Sequence, residues 1–455
     1  MLKIVLTGGP CAGKSQALNR LTQALEARGY FVGTVFEAAT ALILNGIRPS
    51  ENVSMNDFQR FVLDMQLNNE DLFEQVSKYY DPNKVIIFYD RGIMDSCAYV
   101  DKETVFKPMI EERGMTFADI YARYDAVLHL VTAADGAEEF YQWNDPEKED
   151  TGNNAARLES PKEARHKDKK TLNAWIGHPH LRVFDNSTDF DGKINRIMEE
   201  VFALLGEPVP TEIERKFLIK MPTAEQIKAL GCVSKTNIIQ TYLTKEGNVA
   251  ERRIRQRGDK KNGFTFYYTE KTDVYTGVRI ENERKITPEE YLQLLTEADT
   301  SLHQISKVRH CFVYNKKYFE MDIYPFSTDY AIVEIELNDI NEAFEMPPLE
   351  FIKEVTDDAR FRNSELAKTL AFNLDGINVP VTETTATQWI YETGREELEI
   401  LGSGVHRYNV VRTTDEKEAF ELSKTGARNY IARMRKVNGE TVRQWYDLYS
   451  KTWIE

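Results

Sequence analysis

Two stretches of this chain space reactive residue types in ways that chemistry can use. The first is Gly8-Gly9-Pro10-Cys11-Ala12-Gly13-Lys14-Ser15, which matches G-x-x-x-x-G-K-[ST] at every required position. Glycines let such a loop curl until successive N–H groups point at phosphate oxygens. Lys14 then reaches the β/γ-phosphates, and the Ser15 hydroxyl is placed for Mg²⁺. The second is Thr211-Glu212-Ile213-Glu214-Arg215-Lys216-Phe217-Leu218-Ile219, directly after a Gly206–Pro210 break. Read as a strand, it sets Glu212, Glu214 and Lys216 on one face. Charges point inward only when they pair or hold an ion.

The elements around the first motif are those of a parallel α/β sheet. Lys3 to Thr7 reads as a strand, Leu18, Leu21 and Leu25 stripe a following helix, and Gly29 can end it. Tyr30 to Phe36 predicts a second strand ending at Glu37. Lys84 to Tyr89 predicts a third ending at Asp90-Arg91, and Asp125 to Thr132 a fourth. Acids at strand C-termini lie at the crevice where such sheets bind ligands. Asp90 can orient Mg²⁺ or its water. Glu37 is either a base for a substrate hydroxyl or a surface carboxylate. Arg157 and Arg165 fall in a charged segment, Asp145 to Lys170, that reads either as a lid closing on a phosphoryl group or as a solvated helix. His178 and His180 read as structural residues beside a last strand.

The pattern of the second motif recurs through a series of short strands. Arg253 with Arg255, Arg279 with Glu281 and Glu283, Lys307 with Arg309, Glu320 with Asp322, and Glu334 with Glu336 each share a face. A closed antiparallel barrel accommodates this, with Ile213, Ile254, Ile280 and Ile335 packed outward and charges lining a wet lumen. A lumen of both signs suits a polyphosphate together with Mg²⁺ or Mn²⁺.

These residues resemble two families. The P-loop, the strand ends at Glu37 and Asp90-Arg91 and the Arg-rich segment look like the small AAA-type NTPase domain related to nicotinamide riboside kinase and other nucleoside kinases. That resemblance implies phosphoryl transfer or NTP hydrolysis, with Gly8 to Ser15, Arg157 and Arg165 binding ATP or GTP. Lys14, Glu37, Asp90 and Arg91 would carry the chemistry. No N-K-x-D motif selects GTP. The E-x-E-x-K run at Glu212, Glu214 and Lys216 closely resembles the CYTH family, the triphosphate tunnel metalloenzymes. It implies an eight-stranded tunnel in which Lys216, Arg253, Arg255, Lys271, Arg279, Lys307 and Arg309 grip a triphosphate. Glu212, Glu214, Glu281, Glu283, Asp322, Glu334 and Glu336 would hold the metal there, as Ser15 and Asp90 would in the P-loop. Catalysis is implied for Glu212, Glu214, Glu334 and Glu336.

The reading is therefore multidomain: an α/β P-loop domain over 1–206, an α+β antiparallel eight-stranded tunnel barrel over 211–374 and an unassigned extension over 380–455. A small α+β fold is expected for the extension, and a helix over Asp357 to Leu374. The net charge of −15 argues against DNA as a partner. Four scattered cysteines, no signal-peptide layout and no apolar run near ~20 residues suggest a reduced, cytoplasmic protein. The partners expected are ATP or GTP and a triphosphate-containing small molecule. The rival is a nucleotide-binding regulator whose tunnel holds a phosphorylated lipid headgroup or another polyanion without turnover.

Overall fold

The computed structural model describes residues 1–141, 159–206, 213–244, 251–275, 278–337 and 342–377, and five C-terminal strands; residues 213, 272–281 and all five of those strands are described by backbone alone. Glu212 and Arg157 lie outside the described residues, and Arg279 and Glu281 have backbone positions only. The chain divides into two compact units, Met1–Ile377 and Asn378–Glu455.

The first unit opens with a five-stranded parallel sheet in the order β2-β3-β1-β4-β5. Its strands are β1 (Leu2–Gly8), β2 (Phe31–Val35), β3 (Val85–Asp90), β4 (Ala126–Leu130) and β5 (Leu181–Phe184). Alternation along β1 sends Val5 to one core and Ile4 and Leu6 to another. Both faces are thus covered, which is why these strands read as unbroken apolar runs. Helices α1 (Lys14–Glu26), α2 (Ala38–Leu44), α3 (Met55–Ser77), α4 (Lys107–Glu111), α5 (Phe117–Ala122), α6 (Pro161–Trp175) and α7 (Phe190–Leu204) flank it. The α1 stripe buries Ala17, Leu21 and Leu25, as the spacing predicts.

The same unit carries a nine-stranded antiparallel sheet ordered β10-β9-β8-β7-β11-β12-β13-β6-β14. Its strands are β6 (Ile213–Lys220), β7 (Val233–Tyr242), β8 (Glu251–Asp259), β9 (Gly263–Tyr275), β10 (Val278–Ile286), β11 (Ile305–Tyr314), β12 (Lys317–Ile323), β13 (Tyr330–Leu337) and β14 (Phe351–Glu354). Phe217, Ile219, Phe312, Phe319, Met321, Val333 and Ile335 form its core on one face. That alternation leaves Lys216, Arg309, Glu320, Asp322 and Glu334 together on the other face. Nine strands pair where eight are expected, and among the described residues no pairing joins β10 to β14. The ninth, β14, pairs with β6.

The helix expected over Asp357 to Leu374 is shorter, Asn363–Thr369, because Leu370 turns left-handed at φ 50° and ends it. Only Leu366 of the expected leucine stripe is buried. The second unit pairs β15 (Gln388–Glu399), β16 (Val405–Thr413), β17 (Tyr430–Val437), β18 (Glu440–Asp447) and β19 (Thr452–Ile454) into one sheet, which supplies the β part of the expected fold.

Candidate functional site

The phosphate loop joins β1 to α1, and its backbone demands glycine. Gly8 sits at φ 139°, where a Cβ would lie 2.0 Å from the Leu130 carbonyl oxygen; Gly13 sits at φ 86°, where a Cβ would lie 2.5 Å from the Phe190 ring. Asp168 of α6 braces the loop, accepting the Gly9 N–H at 2.6 Å and the Thr132 N–H at 3.3 Å. The Thr132 hydroxyl donates to the Pro10 carbonyl. Lys14 donates to the Gly8 and Gly9 carbonyls at 3.2 and 3.1 Å, so its ammonium lies back across its own loop. Burial, reinforced by Arg91, lowers the Lys14 pKa to about 8.

Asp90 and Arg91 end β3 beside that lysine. The buried Asp90 Oδ1 has no hydrogen-bond partner, and burial raises the Asp90 pKa against the pull of Lys14. Arg91 takes the left-handed backbone at φ 69°, uncommon away from glycine, and its Nε donates to Glu37 Oε1 at 2.5 Å. Burial would raise the Glu37 pKa, but Arg91 and the Thr40 hydroxyl, at 2.8 Å, hold the carboxylate below its usual range.

Arg165 is exposed on α6 and donates to the Ala134 carbonyl at 2.6 Å. Residues 161–175, part of the segment read as either lid or solvated helix, form a helix that meets the loop through Asp168. His178 accepts the His180 N–H at 3.1 Å and its Nε2 lies 3.3 Å from the Tyr124 carbonyl, a structural arrangement.

On the antiparallel sheet, Arg309 stands at the centre of three carboxylates. It bonds Asp322 at 2.7 Å and Glu334 at 2.8 Å, and also Glu320. Lys307 pairs with Asp322, and Lys216 pairs with Glu334 at 2.8 Å and Glu214 at 3.7 Å. Burial alone would raise the Glu334 and Asp322 pKa values. For Glu334 the field of Lys216 and Arg309 reverses this, and for Asp322 that of Arg309 and Lys307. Farther along, Arg255 lies 3.5 Å from Glu283 and its buried Nε has no hydrogen-bond partner. Arg253 lies 3.3 Å from Glu251. Lys271 pairs in register with Glu251 and Glu281.

Glu336 departs from the group. Its carboxylate pairs with Arg182 of β5, so it ties the two sheets together instead of joining Glu334. The same end of the charged face meets the segment after α6: Arg257 donates to the Gly177 carbonyl at 2.7 Å, and the Tyr318 hydroxyl to the His178 carbonyl at 3.2 Å.

Sequence reasoning passed over Asp168 and Arg182, and it set Glu320 on the charged face without giving it a role. Asp168 had a signal, an acid on the helical stripe Ala164, Asp168, Thr171 and Trp175. Glu320 shares its face with the nominated Asp322. Nothing in the sequence marks Arg182, whose partner lies 154 residues away.

Among the described residues, no group of three His, Cys, Asp or Glu side chains is placed to hold a metal ion, and no helix is long and apolar enough to cross a membrane. Donor chemistry nonetheless fits a hard divalent cation in the phosphate loop, where Asp90 Oδ1 is buried and unclaimed. On the antiparallel sheet the carboxylates are taken by Arg309, Lys307 and Lys216, so as placed they form no cage.

The family model for an AAA domain matches residues 3–193. Over that region the five-stranded parallel sheet and its flanking helices fit a P-loop, NTPase-like domain. Solved structures similar to the chain include the inorganic triphosphatase NE1496, 28% identical over 35% of this chain and 95% of that one, with a TM-score of 0.26. Another is the PH1012 protein from Pyrococcus horikoshii OT3, 20% identical over 29% of this chain and 81% of that one, with a TM-score of 0.22. TM-scores this low do not establish a shared fold. No curated protein matches the sequence.

Proposed function

We propose that the chain is a divalent-metal-dependent phosphohydrolase that acts on triphosphates at the charged face of its antiparallel sheet. In this reading the sheet forms the eight-stranded tunnel of a CYTH-like enzyme. It is fused to a P-loop half, related to nicotinamide riboside kinase, that binds ATP or GTP. That half passes the terminal phosphoryl group either to a nucleoside-like hydroxyl acceptor or to water. The observation that carries the reading is the buried set of Lys216, Lys307 and Arg309 facing Glu320, Asp322 and Glu334. A triphosphate would satisfy the three cations, and its accompanying Mg²⁺ or Mn²⁺ would draw on Asp322 and Glu334.

Each residue has a task. Lys216, Lys307 and Arg309 leave their carboxylates to grip phosphate oxygens, with Arg253, Arg255, Lys271 and Arg279 extending the grip. Asp322 and Glu334, with Glu212, Glu214, Glu281, Glu283 and Glu336, are the candidate metal ligands; Glu336 must first leave Arg182. A bound cation would polarise the terminal phosphoryl group. In the P-loop half, Lys14 turns from the loop carbonyls to the β/γ-phosphates. Ser15 and Asp90 would hold a cation there, and Glu37 would receive the acceptor's proton.

Phosphate release from inorganic triphosphate, ATP and GTP tests this, with Mg²⁺ or Mn²⁺ and with a chelator. Release from triphosphate should vanish in Glu334→Gln and survive in Lys14→Ala. Loss in both variants while they stay folded would contradict two separate sites.

One observation favours a second reading. The carboxylates already neutralise the cations, as in a polyanion-binding surface that exchanges partners without turnover. A nucleotide-binding regulator that holds a phosphorylated lipid headgroup would then bind triphosphate tightly and release no phosphate.

A further inference from the structure

A cavity of about 250 Å³ opens beside the phosphate loop, between α2, α3 and the end of β3. We propose that it is the acceptor subsite of the P-loop half, built for a hydroxyl compound with an apolar, ring-sized body and no anionic group. This rests on the nucleotide-binding reading above. It goes further by assigning the phosphoryl group to an alcohol in place of water, and by setting the charge that alcohol carries.

The walls are largely apolar, with Ala38 and Ile43 from α2 and Met55, Phe58, Val62 and Leu63 from α3. Ile43 and Met55 are 47% and 41% exposed at the lip, apolar surface that a ring would cover. A site meant only to admit water has no use for such walls. The floor is polar and holds Glu37, Arg91 and Asp95.

Arg91 is shaped for a ligand. Its left-handed backbone is pinned by its N–H to the Leu6 carbonyl at 3.0 Å and by Gln66 Nε2 to its own carbonyl at 3.2 Å. Its Nε is spent on Glu37, while the buried Nη1 has no hydrogen-bond partner; the nearest Asp95 oxygen is 3.9 Å away. A buried donor left open is costly, and a neutral oxygen or ring nitrogen on the ligand closes it.

Formal charge disfavours anions. Glu37, Asp95 and Glu159 line the cavity against Arg91 and Lys167, leaving one net negative charge. A phosphate or carboxylate on the acceptor meets that field, and Arg91 is already engaged by Glu37. A neutral or cationic alcohol meets no such penalty.

The step balances with the nucleoside triphosphate as the second reactant. The acceptor oxygen forms a bond to the γ-phosphorus while the bond from that phosphorus to the β,γ-bridging oxygen breaks. The electron pair leaves on the nucleoside diphosphate, and the hydroxyl proton passes to the Glu37 carboxylate.

The test uses the full chain with Mg²⁺ and ATP or GTP, following nucleoside diphosphate formation. The probes are uridine, adenosine, pyridoxine and thiamine, each beside its own monophosphate. The expected result is that at least one non-phosphorylated probe raises diphosphate formation ~10-fold over the water background and is itself phosphorylated one for one. The monophosphates should have no effect. Val62→Trp, which fills the apolar wall, should abolish the stimulation, with its fold checked by circular dichroism. Stimulation by monophosphates alone, or by no probe although the nucleotide binds, would overturn the proposal. Failure of the wild-type chain to bind any nucleotide would instead overturn the P-loop reading on which it rests.

Discussion

The phosphate loop and the charged face of the antiparallel sheet both hold buried charge, but they hold it differently. At the loop and the β3 end beside it, groups stand open: Asp90 Oδ1 and Arg91 Nη1 lack hydrogen-bond partners among the described residues, and Lys14 bonds carbonyls of its own loop. On the sheet, Arg309, Lys307 and Lys216 are matched to Glu320, Asp322 and Glu334. A ligand entering the loop meets groups already waiting. One entering the sheet must replace ion pairs that also hold the sheet together. Binding and stability are therefore separable in the loop and entangled on the sheet.

The largest expected difference follows from that. Arg309→Ala leaves Asp322 and Glu334 short of their shared partner and should cost about 3–5 kcal/mol in urea unfolding. Lys14→Ala should move the same curve by less than about 0.5 kcal/mol, because its carbonyl partners keep their places. An equal loss in the two variants would erase the contrast. Lys14→Ala should instead weaken ATP and GTP binding about 10–100-fold, the worth of a charged hydrogen bond.

A pH dependence sharpens the picture of the loop. The Lys14 pKa is lowered to about 8, so the free protein loses that ammonium as pH rises through 8. Nucleotide affinity should fall by up to ~30-fold between pH 7 and 9.5, since phosphate oxygens bind the protonated form. Lys14→Arg should flatten the profile; a wild-type profile already flat would refute the shift. The smallest effect is expected from Thr40→Ala, which removes one hydrogen bond at 2.8 Å from the already paired Glu37. Acceptor-stimulated turnover should fall about 2-fold, and its acid limb should move upward.

Legibility from sequence divides along the same line. The loop is local, so Gly8 to Ser15 announced its geometry, and the strands β2 and β3 followed from short apolar runs, although β2 stops at Val35 and Glu37 caps α2 instead of ending the strand. The alternation in β6, β12 and β13 likewise placed Lys216, Asp322 and Glu334 on one face. Partners across strands were not legible. Register decides that Arg309 centres three carboxylates, and packing of β5 against the antiparallel sheet at β12 decides that Glu336 leaves them for Arg182. The length of the helix at Asn363 was missed because Leu370 adopts a left-handed turn that its residue type does not advertise. Asp168 was missed because an acid on a buried helical stripe reads as noise until the Gly9 amide is seen beside it.

Calorimetric titration with inorganic triphosphate, with Mg²⁺ present, tests the central claim most directly. The account predicts that wild type and Lys14→Ala bind it with equal affinity, and that Glu334→Gln binds it with a changed enthalpy and altered affinity. It also predicts that prior saturation of the wild type with nucleotide leaves the triphosphate site open. Triphosphate binding that disappears with Lys14→Ala, or that nucleotide blocks completely, would place all phosphate recognition in the loop and contradict the account.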